Sequence, residues 1–117
     1  MNPLRLLATG LLIVLGSAAL GQPTYPNKPV RLIVPYSAGG STDTLARVLG
    51  QKLTGIWGQQ VLVENRPGAS TMIGADALAK STPDGYTLMV LSVDHVITPN
   101  HLQTPYDPIK DFAAIGG

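Results

Sequence analysis

The chain has 117 residues, 44% of them hydrophobic and only 13% charged, with a formal net charge of +1. It has no cysteine, which excludes a disulfide scaffold, thiolate metal ligation and thiol catalysis. Eight Lys and Arg against seven Asp and Glu leave no basic excess to neutralise phosphates, so nucleic-acid binding by charge is excluded as well.

The apolar fraction is concentrated at the start. One basic residue, Arg5, precedes an apolar run over residues 6–15, and a small-residue stretch over residues 16–21 follows it. This is the order of a secretory signal peptide, with Ala19 and Gly21 placed for cleavage before Gln22. The apolar core is too short for a membrane span, which needs about 20 residues. No cysteine follows, so a lipid anchor of the bacterial lipoprotein type is excluded. The expectation is an exported chain whose mature charges balance once Arg5 is removed.

Residues 22–29 hold three prolines and read as an extended leader. Val30, Arg31, Leu32, Ile33 and Val34 form a mostly β-branched run closed by Pro35, which predicts a short buried strand. A glycine-containing loop over residues 36–43 follows, with Ser41, Thr42 and Asp43 all able to cap a helix. From Thr44 the period changes. Leu45, Val48, Leu49, Leu53, Ile56 and Trp57 recur at helical spacing and predict an amphipathic helix with that stripe inward, ended by Gly58. Trp57 reads as core.

Residues 61–64 predict a second strand, and residues 65–70 a second glycine-containing loop. An Ala-rich helix is expected over residues 71–80, with Met72, Ala75, Leu78 and Ala79 inward. Residues 81–85 are a turn signal, and residues 86–91 a third strand. This β-α-β-α-β alternation with near-continuous apolar strands implies an α/β fold: a parallel sheet covered on both faces. Residues 92–108 lose the period and contain both histidines. Residues 110–115 turn apolar again just before the last two glycines, which reads as a parallel domain cut short.

In such a sheet, ligands sit beyond the carboxyl ends of the strands. Both glycine-containing loops lie there. Tyr36, Ser37, Ala38, Gly39, Gly40 and Ser41 offer backbone amides and hydroxyls at the head of the first helix. Gly68, Ala69, Ser70 and Thr71 do so at the second. Helix N-termini favour anions, but neither loop has a phosphate-loop lysine or the dinucleotide glycine spacing. A carboxylate therefore fits better than a nucleotide. The same groups serve equally as tight turns and helix caps, and both readings stand. Arg66 is either a carboxylate clamp or the partner of a neighbouring acid. His95 and His101 lack a third ligand for a metal. Ser37 or Ser92 with His95 is the remaining hydrolase reading, and no nucleophile-elbow motif supports it.

Four segments carry a further signal: residues 25–43 (YPNKPVRLIVPYSAGGSTD), 63–70 (VENRPGAS), 83–88 (PDGYTL), and 105–108 (PYDP) with 110–112 (KDF). In this order and spacing they resemble the tripartite tricarboxylate transporter solute receptors, the Bug family. The resemblance implies the first lobe of a two-lobed periplasmic binding protein of the Venus-flytrap type, with the second lobe absent. It implies a monomeric receptor, not an enzyme, that needs no cofactor and no metal and hands a small carboxylate, an organic acid or amino acid, to a membrane permease. The implied ligand residues are Tyr36, Ser37, Ala38, Gly39, Gly40, Ser41, Asp43, Asn65, Gly68, Ala69, Ser70, Thr71, Ser92 and His95. Two positions depart from the family pattern. Thr71 stands where glycine is common, and Asp94 stands where small or hydroxylated residues are usual. A second expectation is a truncated remnant or half-receptor that binds nothing by itself.

Overall fold

Val30–Val34 (β1) is the strand around which the rest is built. Val30, Leu32, Ile33 and Val34 are almost wholly buried, and each such side chain contributes about 1.5–3 kcal/mol on leaving water. The computed structural model describes residues 21 and 23–116. Apart from Gly21, the segment read as a signal peptide lies outside the described residues.

Strand β1 continues through the loop into a long helix, Ser41–Trp57 (α1), then strand Val61–Asn65 (β2), helix Met72–Ala79 (α2) and strand Thr87–Met89 (β3). A short helix, Asp94–Ile97 (α3), and a 3-10 turn, Thr98–Asn100, follow. The sheet is parallel throughout, in the order β2-β1-β3. Val30 pairs with Val61 and Val34 with Asn65, while Arg31, Leu32 and Ile33 pair with Thr87, Leu88 and Met89.

Strand alternation divides the molecule into two layers. Val30, Leu32 and Val34 pack with Ala46 of α1 and Val61, and Leu53, Trp57, Val63, Tyr86 and Leu88 border this core. Arg31 and Ile33 face the other way. On that side Leu78 and Ala79 of α2 line an apolar groove of 740 Å³ with Thr87, Met89, Phe112 and Ile115. The leader is fastened rather than free: the Tyr25 hydroxyl donates to the Gly85 carbonyl, and Tyr86 donates to Asn27.

Three expectations are corrected. The stripe on α1 is not its buried face, since Leu45, Val48, Leu49 and Ile56 are exposed. Its inward positions are Asp43, Ala46 and Gly50, with Leu53 and Trp57 half-buried. A side chain at Gly50 would meet Val63 and Val61 at 3.3 and 3.4 Å, so small residues set how closely the helix lies on the sheet. The N-cap is Gly40, not Ser41, Thr42 or Asp43. The third strand is shorter than residues 86–91, although ladder bonds from Arg31 N–H to the Tyr86 carbonyl and from Val90 N–H to the Ile33 carbonyl extend its pairing at both ends.

Candidate functional site

The chain runs from β1 to β2 on one side and then crosses to β3 on the other. The order therefore reverses between β1 and β3, the switch point at which parallel sheets of this order hold ligands. Three connections meet at that edge: residues 35–40, 66–71 and 90–93.

Asp43 organises the first. It is 3% exposed. Its Oδ2 accepts from the Gly39 N–H at 2.9 Å and from Arg47 Nε at 3.0 Å, and its Oδ1 accepts from Asn65 Nδ2 at 2.9 Å. The Arg47 guanidinium, followed by the Gly39 amide and Asn65, lowers its pKa from 3.8 to about 2. Both oxygens are engaged inside the protein, so Asp43 holds the loop in position. Gly39, at φ 93°, allows the turn that presents its amide to Asp43.

Asn65, the last residue of β2, ties the first two connections together. Its Nδ2 also donates to the Tyr36 carbonyl at 3.1 Å, and its Oδ1 accepts from Arg47 Nη2 at 3.0 Å. The first bond within α1 runs from the Thr44 N–H to the Gly40 carbonyl. The amides of Ser41, Thr42 and Asp43 thus have no carbonyl partner inside the helix, and the helix dipole adds positive potential there.

The second connection is strained. Gly68 has φ 124°, and Ala69, Ser70 and Thr71 follow at 48°, 52° and 74°. Three consecutive left-handed residues with side chains cost roughly 1–2 kcal/mol each. Strained backbone of this kind clusters at ligand sites. Thr71 is buried, and its Oγ1 has no hydrogen-bond partner. Packing holds the run in place: a side chain at Gly74 would meet Pro35 Cβ at 2.7 Å and the Arg66 carbonyl at 3.1 Å.

The third connection is bound to both others. The Tyr36 hydroxyl donates to Asp94 Oδ2 at 3.1 Å and accepts from the Ser92 N–H at 3.2 Å. Burial, foremost, and the neighbouring Asp94 raise the Tyr36 pKa, which keeps the phenol protonated as a donor. Thr98 Oγ1 donates to the Ser70 carbonyl at 3.3 Å.

Tyr36, Ser37, Ala38, Gly39, Gly40, Ser41, Asp43, Asn65, Gly68, Ala69, Ser70, Thr71 and Ser92 thus lie in, or directly beside, connections that are joined at one edge. His95 is set apart. Its ring is buried, stacked on Tyr106 and against the edge of Phe112, with Nε2 at 3.0 Å from the Pro108 carbonyl. Among the described residues the ring makes no hydrogen bond to Ser37 or Ser92, although the His95 amide donates to the Ser92 carbonyl at 3.3 Å. Arg66 is taken by Glu64, which also accepts from Arg31 at 2.7 Å. The two guanidiniums, Arg31 first, lower the Glu64 pKa. Arg47 and Thr98 were not among the expected site residues. The i,i+4 spacing from Asp43 announces Arg47, whereas nothing local announces Thr98.

In a parallel α/β sheet, βα connections gathered at the switch point are the place where a ligand is held. Comparison with known proteins gives the class. Residues 45–116 match the model of the tripartite tricarboxylate transporter family receptor, and the chain belongs to that family. It is 49% identical over 125 residues to the protein BugT of Bordetella pertussis, covering 98% of this chain and 37% of BugT. Among solved structures it is similar to MatC from Rhodopseudomonas palustris with bound malate, at 34% identity and a TM-score of 0.69, covering 75% of this chain and 31% of MatC. An R. palustris protein solved with adipate is 40% identical with a TM-score of 0.57, covering 58% of this chain and 23% of that one. The chain spans about a third of the length of the curated relatives that it matches.

Proposed function

We propose that this chain supplies the carboxylate-holding loops of a periplasmic solute receptor that presents a small organic acid or amino acid to a membrane permease. The carrying observation is that the amide-rich heads of α1 and α2 are fastened together through Asn65 and bound to the third connection by Tyr36 and Thr98. Two related receptors with malate and adipate support a carboxylate as the ligand. Closure of a second lobe over the ligand belongs to the same reading, with the ligand's differential affinity for the closed form driving it.

In this reading, one ligand carboxylate lies against the amides of Gly40, Ser41 and Thr42 and the turn of residues 69–71. The Ser41 and Ser70 hydroxyls, both exposed, donate to it. Malate should raise the thermal midpoint of the chain by mass action, and adipate should do the same. Replacing both serines with Ala should reduce the malate affinity at least about a hundredfold, the size of two hydrogen bonds to a charged group at about 1.5 kcal/mol each. An unchanged shift in the double variant would remove the assignment of these hydroxyls.

A further inference from the structure

We infer that Asp94 makes this site select carboxylates that also carry an ammonium group, zwitterions over dianions. The inference rests on the site reading just given and deepens it. Every other acid at or beside the three connections is neutralised within the protein: Asp43 by Arg47, and Glu64 by Arg31 and Arg66. Asp94 is different. Among the described residues no cation lies within ion-pair distance of it, and its one recorded side-chain partner is the neutral Tyr36 hydroxyl. It is half-exposed and stands on the β3 side of the switch point, facing Tyr36 across the gap between β1 and β3.

A dianion held at the amides brings its second charge into the field of this carboxylate, and like charges at a binding interface discriminate strongly against the wrong partner. A zwitterion meets the same arrangement with opposite signs. Its carboxylate lies on the amides, and its ammonium takes the free oxygen, Oδ1, of Asp94. The Tyr36 hydroxyl fixes the other oxygen, so the acceptor is held in place before the ligand arrives.

The test is a calorimetric titration of the full chain with matched pairs: alanine against propionate, γ-aminobutyrate against butyrate, and succinate as the dianion. At least one amine should bind about fivefold more tightly than its amine-free partner, the size of a half-exposed ion pair, and succinate should bind most weakly. Asp94→Asn keeps an oxygen to accept from Tyr36 and removes only the charge. In that variant the amine preference should fall to near one and succinate should gain. Equal binding of both members of every pair overturns the inference and leaves the carboxylate site standing, as does an amine preference that survives in Asp94→Asn. Absence of binding by any carboxylate, malate included, overturns the site reading and the inference with it.

Discussion

Asp43 holds three donors with two oxygens, and its role in the loop has a pH signature. A carboxyl whose pKa is lowered by folding contributes stability above its unfolded value and loses it as pH falls through its folded value. For Asp43 that window runs from 3.8 down to about 2. The acid loss of thermal stability should therefore be shallower in Asp43→Asn over this window, with part remaining from Glu64 and Asp107, whose pKa values are also lowered. Identical acid limbs in the two proteins would show that the Asp43 contacts do not form in solution. Thr71 presents the opposite case. A β-branched residue at φ 74° is strained, and its buried hydroxyl has no partner. Thr71→Gly should raise stability by up to about 1 kcal/mol in urea titration. A loss would mean that packing of the side chain outweighs the strain. The Asp43–Arg47 pair was legible from its spacing and the unusual place of Thr71 from the family resemblance, but the left-handed run was not. Ala, Ser and Thr have no preference for left-handed backbone, so no local signal in residues 69–71 announces it.

At the scale of elements, β1 was readable to the residue because a β-branched run met a proline. The end of α1 was readable for a similar reason, since Gly58 at φ 66° stops it, whereas its start lies three residues before Thr44, where the helical period was read. Its orientation was not. Periodicity shows that Leu45, Val48, Leu49 and Ile56 share a face, but not that this face meets the sheet. A parallel sheet seats its helices on small residues, and Ala46 and Gly50 took that place. The energetics should follow the observed faces. Leu32→Ala in β1 should cost about 2–5 kcal/mol, while Ile56→Lys on α1 should stay within about 0.5 kcal/mol. Gly74→Ala should cost about 1–3 kcal/mol by overpacking Pro35. Gly55→Ala, with no atom within 4 Å of the added carbon, should gain up to about 1 kcal/mol from helix propensity. Denaturant midpoints of the four variants check the set. A large loss in Ile56→Lys would restore the stripe as the inward face.

For the whole molecule, the order β2-β1-β3 places the chain reversal beside β1, and the ties between the three connections gather at that end of the sheet. Tyr36 crosses to the β3 side, Asn65 crosses from β2, and Thr98 returns to the α2 loop. The apolar groove under β3 lies away from the first two connections, since none of residues 36–43 or 65–71 lines it, and it borders the third only through Leu91, with His95 of α3 beside it. The position of the loops at the strand ends was legible from the β-α alternation, because parallel topology admits no other place for them. The ties between them were not, since they join residues as far as 58 positions apart. The most direct measurement is amide chemical-shift mapping on the full 15N-labelled chain titrated with malate. Saturable shifts centred on Gly39, Gly40, Ser41, Ala69, Ser70 and Thr71 are the predicted result. Shifts centred on the groove lined by Leu78, Met89 and Phe112, or none at the loops, would contradict the account.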